Sequence, residues 1–448
     1  MPKISASIEL PLSASDVFHW FEREASFDRL YPLPYKATQV KPYRSLNEGE
    51  ELELVIRYAL FKYTWKSRIG RHVFEKEYVD EQKKGPFKSL EFSHQFHTIS
   101  DQKCNLSEHI SYELAKTFPF LDSFVQDKLK GLFRLRHKRL KNDLEIISHY
   151  PSRPLKVAIT GASGLVGTEL TSLLKSAGHE VLSVTRKKSN KDAVFWDPQN
   201  QLIEKEKLEN LDAVINLAGE NIASGLWTSD KKKKIQDSRI ESTKFLVKTL
   251  NDLAKPPKTL ISASASGYYG LNSQADENSE AGSDFLAKLC QDWELAALSY
   301  KKGRVVLARI GLVLSSKGGA LAKMLPSFSL GLGGAIGKGE QMISWISIDD
   351  LTYALYAFLC SENFQGVVNC TSPEPVSNKI FSQCLAKAIN RPCIFKIPPS
   401  LLRAILGEMA KSTLLASQEI KPQVLLQENF PFQQASLQGA LHEILCRF

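Results

Sequence analysis

The residues best suited to do chemistry form one run, Val157-Ala158-Ile159-Thr160-Gly161-Ala162-Ser163-Gly164-Leu165-Val166-Gly167. An apolar strand passes into glycines and then into a helix expected over Thr168–Ala177. Glycine allows the tight turn and a close backbone approach, and small residues bring the helix against the strand. The helix start offers free N–H groups and a positive dipole end, so the run is expected to cradle the pyrophosphate of a dinucleotide. A second apolar strand ends at Val184-Thr185-Arg186. An acidic residue there would bond a ribose 2′-hydroxyl and select NAD. Arg186, followed by Lys187 and Lys188, suits a 2′-phosphate instead, so the expected cofactor is NADP(H).

Other residues carry alternatives. Arg239, in DSRIES, could reach cofactor or substrate, or pair with Asp237 or Glu241 on its own helix. Trp227 and Trp345 could line a pocket or belong to a core. His94 and His97 share a strand, with His109 further on, but no third ligand stands at a matching position, so no metal site is expected. Asp349-Asp350 is expected to cap a helix. The seven cysteines, at 104, 290, 360, 370, 384, 393 and 446, are scattered without a CxxC pair, which fits neither a disulfide framework nor a zinc site.

The elements that must position these residues fall into three segments. Residues 1–150 alternate as long strands: Lys3–Leu10, Glu51–Tyr58, Tyr63–Ile69, His72–Val79, Ser89–Phe96 and Asn105–Leu114. A short helix with Val17, Phe18 and Phe21 inward follows Ser13 and Ser15, and a long helix spans about Leu121 to Ile146. That order is the order of an α+β helix-grip fold. After the proline-containing linker 150–154, residues 154–375 interleave helices with continuous apolar strands at Lys156–Ile159, Glu180–Val184, Ala213–Leu217, Thr259–Ser262 and Val305–Ile310. Such interleaving predicts a doubly wound parallel sheet of Rossmann type, covered on both faces. Residues 376–448 are expected to be mostly helical: Ser377–Ile389, Ser400–Leu406 and small capping helices, with a strand at Cys393–Lys396.

The chain has 448 residues, a formal net charge of +9 and 24% charged residues. Its pI is near 9.0 and its mean hydropathy is −0.21. Lys and Arg are spread along the chain, and the run Lys231–Lys234 sits in an otherwise mixed helix, so no nucleic-acid partner is expected. No apolar run approaches the length of a membrane span, and the N-terminus lacks a charged region followed by an apolar one; no membrane partner and a cytoplasmic location are expected.

Several stretches resemble one family. GENIASGLWTSDKKKKIQDSRIESTKFLV (219–247), SASASGYYG (262–270), DFLAKLCQDWE (284–294), GGALAKMLPSFSLGLGG (318–334), SWISIDDL (344–351) and NCTSPEPVSN (369–378) are similar to the atypical, epimerase-like extended short-chain dehydrogenases. LGEMAKSTLLASQ (406–418) resembles their small C-terminal domain of unknown function. The resemblance implies that Leu217, Ala218 and Gly219 form the turn beside adenine and ribose, and that Ser262 belongs to the cofactor site. GRHVFEKEYVDEQKKGPF (70–87) and FRLRHKRLKNDL (133–144) resemble the START and polyketide-cyclase-like (SRPBCC) domain that some members carry in front, which implies a hydrophobic ligand there.

Ordinary short-chain dehydrogenases use a Tyr and, four residues later, a Lys on one helix; the Lys lowers the Tyr pKa for proton exchange with a carbonyl or alcohol. Here Leu286 and Cys290 take those places, or Phe285 and Leu289 with the register shifted by one, and Ala265 takes the usual Ser/Thr place. Three readings follow. In one, an NADP(H)-dependent oxidoreductase or epimerase-like enzyme acts on a small, partly apolar carbonyl or alcohol, with its acid among Ser264, Tyr268, Tyr269, Glu277 and Lys288. In another, the protein binds NADP(H) without turnover, as a sensor or scaffold. In the third, the N-terminal segment carries the function by holding a hydrophobic ligand.

Overall fold

The computed structural model describes residues 2–30, 36–41, 45–58, 61–114, 119–187 and 193–445; Lys188 and Cys446 lie outside these. The chain divides near Pro151 into two compact units.

In the first unit, strands β1 (Lys3–Leu10), β2 (Lys36–Lys41), β3 (Glu51–Tyr58), β4 (Phe61–Val73), β5 (Glu77–Lys84), β6 (Phe87–Ser100) and β7 (Lys103–Leu114) form an antiparallel sheet. Its order is β1-β7-β6-β5-β4-β3-β2. Between β1 and β2 lie α1 (Ala14–Glu22) and α2 (Glu24–Leu30), and α3 (Pro119–His149) closes the unit. Ser13 caps α1 by accepting from the Asp16 N–H. Val17, Phe18 and Phe21 are buried as expected, in one core with Leu106, Leu140 and Leu144. One expectation fails: His72–Val79 is not a single strand. A turn at 74–76 divides it, with Glu75 at φ +58°. The alternation runs straight through that turn, and no glycine, proline or asparagine marks it.

The second unit is built on β8 (Lys156–Thr160), α4 (Leu165–Ser176), β9 (Glu180–Thr185), β10 (Ala193–Asp197), β11 (Leu202–Ile203), β12 (Ala213–Asn216), α5 (Ser229–Asp237), α6 (Ile240–Asn251) and β13 (Thr259–Ala265). Next come β14 (Asn272–Ala275), α7 (Phe285–Leu298), β15 (Arg304–Ile310), β16 (Leu312–Leu314), α8 (Gly319–Ser329), β17 (Gly334–Ile336), β18 (Met342–Ile343), β19 (Trp345–Ser347), α9 (Ile348–Cys360) and β20 (Gly366–Cys370). The main sheet has the order β11-β10-β9-β8-β12-β13-β15-β20. It is parallel apart from β11. The order reverses beside β8, as in doubly wound nucleotide-binding folds. Apolar strand faces account for it: Ala158, Val184, Val214, Leu260 and Leu307 pack with Leu246, Leu250 and Ala297 from helices.

The chain ends in β21 (Val376–Ser377), α10 (Asn378–Ala388), β22 (Phe395–Ile397), α11 (Pro399–Leu406), β23 (Ser417–Ile420), α12 (Gln423–Gln427) and α13 (Leu437–Ile444). Of these, α10 and α13 share a core with Leu321, Phe328 and Trp345. β14 pairs with β23, and β17 with β22. Among the described residues no helix is long and apolar enough to cross a membrane, and no group of three or more His, Cys, Asp or Glu is placed to hold a metal ion.

Candidate functional site

In a parallel sheet, ligands bind beyond the carboxyl ends of the strands, where the order reverses. At the end of β8, Gly161 adopts φ +68°. A Cβ there would lie 2.8 Å from the Leu217 carbonyl oxygen, and one at Gly167 would fall on the Gly161 carbonyl. Gly164 donates to the Gly161 carbonyl at 2.9 Å to close the turn. The chain therefore holds open, by omitting side chains, the concave turn that a pyrophosphate requires, with α4 starting directly behind it. Ser163 and Gly164 in this turn are exposed and Ala162 is half-buried, and Leu165 and Val166 begin the helix.

Thr160 and Ser262 are buried beneath this turn. Thr160 Oγ1 donates to Asn216 Oδ1 at 2.7 Å and accepts from the Leu217 and Ala218 N–H groups at 3.1 Å each. Its hydroxyl thus locks the 161–164 turn to the 217–219 turn. Ser262 Oγ accepts from Asn216 Nδ2 at 3.4 Å. Both work from below the site. Arg186 directly follows β9 and is exposed; its charge helps lower the Asp197 pKa, behind hydrogen bonds from Asn200 and Gln199. Lys187 beside it is also exposed.

Arg239 sits against the second turn: a Cβ on Gly219 would be 3.1 Å from its guanidinium carbon. It donates to the carbonyls of Glu220 (3.0 Å) and Ile235 (3.4 Å) and lies over the Trp293 ring at 5.2 Å. The sequence allowed a pairing with Asp237 or Glu241. Those carboxylates are taken by Lys233 and Lys244. Burial lowers the Arg239 pKa, and the Glu220 carboxylate opposes this only in part. Among the described residues this half-buried guanidinium hydrogen-bonds to carbonyls alone, which leaves donor capacity for an anion.

A second network continues along the sheet edge. Arg309, on β15, makes a bidentate pair with Glu294 of α7, at 2.8 Å from both Nε and Nη2, with side chains 3% and 7% exposed. Burial alone would lower the Arg309 pKa, but the Glu294 carboxylate overrides it and the net shift is upward. Ser264 Oγ donates to Glu294 Oε1 at 2.5 Å. Arg309 Nη1 donates to the Tyr269 hydroxyl at 2.9 Å, which donates to Asn369 Oδ1 at 2.8 Å. Burial raises the Tyr269 pKa to about 12. The Arg309 guanidinium also stacks on the Tyr268 ring, 3.3 Å from its centroid. Tyr268 is half-buried, and among the described residues its hydroxyl has no hydrogen-bond partner.

Where a Tyr and Lys would stand, Leu286 and Cys290 reach the turn at Gly267: a Cβ there would lie 3.3 Å from Leu286 Cβ and 3.9 Å from Cys290 Sγ. Burial pushes the Cys290 thiol up to about 12. Lys288 is not brought to this group; it lies on the exposed face of α7, between buried Ala287 and Leu289. Glu277 is engaged elsewhere, accepting from the N–H groups of Asn369, Gln423 and Val424. Trp345 is core, whereas Trp227 stays half-buried against Phe285 at 5.4 Å. Ser347, not Asp349 or Asp350, caps α9, because its hydroxyl accepts the Asp350 N–H at 2.9 Å. His94 is buried on Glu108 rather than beside His97. Sequence reasoning missed Arg309, and the signal for it was local: a lone charge inside the apolar strand VVLARI. It missed Asn369 because nothing local marks that residue.

A tuberculosis-bacterium relative, epimerase family protein MT2273 of Mycobacterium tuberculosis (strain CDC 1551 / Oshkosh), is 42% identical over 290 residues, covering 64% of this chain and 96% of that protein. The chain belongs to the NAD dependent epimerase/dehydratase family. The pattern of that family matches residues 157–370, and a domain of unknown function, DUF1731, matches 397–444. Human epimerase family protein SDR39U1 is 36% identical over 297 residues, 65% of this chain and 100% of its own length. Among solved structures, a nucleoside-diphosphate sugar epimerase from Corynebacterium glutamicum superposes with a TM-score of 0.80 at 28% identity, over 98% of this chain and 90% of that one. Human SDR39U1 (isoform 2), solved with NADPH, gives 0.61 at 34% identity over 66% and 100%. This family member thus carries its cradle and Arg309 network within the matched segment, and the Corynebacterium likeness extends over the N-terminal unit as well.

Proposed function

We propose that this protein is an NADP(H)-dependent oxidoreductase of epimerase-like type, acting on a small, partly apolar carbonyl or alcohol. The observation that carries this is the side-chain-free cradle at Gly161–Gly167, abutting the Leu217–Gly219 turn. It is supported by Arg186 at the end of β9 and by the human relative solved with NADPH. The N–H groups at the start of α4 would hold the pyrophosphate, Arg186 the 2′-phosphate, and Arg239 a further anionic group. When bound, NADP(H) supplies or accepts a hydride. The chain must then move a proton, and Tyr268 is the residue suited to it: its hydroxyl is uncommitted and its ring lies on the Arg309 guanidinium. Ser264 and Tyr269 hold Arg309 and Glu294 in place. Fluorescence titration with NADPH and NADH tests the cofactor: NADPH binds more tightly, and Arg186→Ala removes that preference. Binding of neither nucleotide would sink the proposal.

Leu286 and Cys290 at the usual Tyr and Lys places favour a second reading, a nucleotide-dependent sensor or scaffold without turnover. NADPH consumption in a carbonyl screen separates the two. We further propose the division 1–150, 154–375 and 376–448, with the first part a START-like helix-grip domain for a hydrophobic ligand. The antiparallel sheet closed by α3 supports this.

A further inference from the structure

From Arg391 to Glu408 the chain contains no buried residue, and α11 buries none. Yet this stretch reads RPCIFKIPPSLLRAILGE. Ile394 is 76% exposed, Ile405 57% and Leu401 50%. Leu330 and Leu332 adjoin it, because Arg391 Nε donates to the Ser329 carbonyl at 2.7 Å and Gly334 pairs with Phe395. Single exposed leucines are ordinary, but a continuous apolar surface on one segment marks an interaction site.

The charge along this stretch of chain is one-sided, and the loop packed on Pro399 and Lys379 adds one charge of each sign, Lys338 and Glu340. Residues 376–415 hold six basic side chains, Lys379, Lys387, Arg391, Lys396, Arg403 and Lys411, against one acidic, Glu408. Glu408 is already paired with Lys232 at 2.5 Å, and among the described residues none of the six makes an ion pair. The even spread of Lys and Arg along the sequence conceals this local excess. A second copy of the chain would face this surface with the same positive charge. A nucleic acid would call for stacking aromatics, and here the exposed apolar groups are leucine and isoleucine apart from Phe395. Apolar aliphatic side chains within a basic rim match the interface of an anionic bilayer, where the chains enter the headgroup boundary and the cations meet lipid phosphates.

We propose that the Arg391–Glu408 arm, with Leu330 and Leu332, docks the protein on anionic lipid membranes. The inference goes beyond the nucleotide reading and does not depend on it. Its test is flotation of the full-length protein with vesicles of phosphatidylcholine alone, or of equal parts phosphatidylcholine and phosphatidylglycerol. The protein is expected to float with the anionic vesicles only, less so as salt rises. Leu401→Asp/Ile405→Asp and, separately, Lys396→Glu/Arg403→Glu are each expected to weaken that binding by about tenfold or more. All four side chains are exposed, so melting temperature and NADPH titration should match the wild type; the wild-type vesicle series is decisive even if a variant misfolds. No flotation with anionic vesicles, or equal flotation with neutral ones, overturns the proposal. So does a dimer in light scattering that Leu401→Asp dissociates, or charge-dependent binding of single-stranded RNA without vesicle binding.

Discussion

Two adjacent tyrosines receive opposite roles from their surroundings. Tyr269 is buried and spends its hydroxyl on Arg309 and Asn369, whereas Tyr268 offers only its ring face to Arg309. Tyr269→Phe therefore leaves a buried guanidinium donor and an amide oxygen without their partner, and is expected to cost about 2 kcal/mol of stability. Tyr268→Phe removes a hydroxyl that no described residue uses. It should leave the melting temperature and NADPH binding unchanged while lowering carbonyl-dependent NADPH oxidation by about a hundredfold or more. If Tyr268→Phe retains full turnover, the proton donor lies elsewhere. Arg309 itself is a separate case. Arg309→Leu would strand the Glu294 carboxylate in the protein interior, at a cost of about 3–5 kcal/mol, and the double change to Arg309→Leu/Glu294→Leu should recover much of it. Thermal melts of the three variants check the ordering; a double variant as unstable as the single would show that shape, not charge, decides.

At the scale of elements, the strand–turn–helix from β8 to α4 does the positioning. The φ of +68° at Gly161 and the Leu217 carbonyl 2.8 Å from any Cβ mean that no other residue fits without moving backbone. Gly161→Ala is expected to weaken NADPH binding by at least about tenfold and to lower the melting temperature, the left-handed conformation alone costing roughly 1–2 kcal/mol. Gly219→Ala provides the contrast, since the atoms nearest its Cβ are the end of the flexible Arg239 side chain; stability should hold while anion binding shifts. The cradle was legible in the sequence because its glycines answer to local steric demands. So were β1 and β3, whose alternation is unbroken and whose bounds match to the residue. β10 and β20 were not: Ala193–Asp197 is five residues long, and Gly366–Cys370 offers only two valines as an apolar signal. The Arg309 network was illegible for another reason. It assembles from β13, α7, β15 and β20, which are far apart in sequence, and only the parallel sheet brings them to one edge.

At the scale of the second unit, two carboxylates, half-buried Glu277 and buried Asp350, tie the C-terminal segment to the nucleotide-binding fold. Glu277 accepts from the N–H groups of Gln423 and Val424, at the start of α12, and from Asn369 on β20. Asp350, in the first turn of α9, accepts from the N–H groups of Gln433 at 2.8 Å and Gln434 at 3.1 Å. Burial raises the Asp350 pKa from its ordinary 3.8 to about 7, those two hydrogen bonds opposing the shift without cancelling it. In the unfolded chain the carboxyl ionises near its ordinary value. Below that pH both states hold the proton, and the raised folded pKa contributes its full stability. As pH climbs toward 7 the unfolded chain releases the proton first, so this contribution is lost across that window and is gone above it. Three pKa units correspond to about 4 kcal/mol. Asp350→Asn has no proton to lose. The melting temperature of the variant relative to wild type should therefore rise between pH 4.5 and pH 7.5, other titrating groups cancelling in the difference. A difference that stays flat with pH would mean that Asp350 is ionised throughout, held so by Gln433 and Gln434, and that its tie to the C-terminal segment is fully charged at neutral pH.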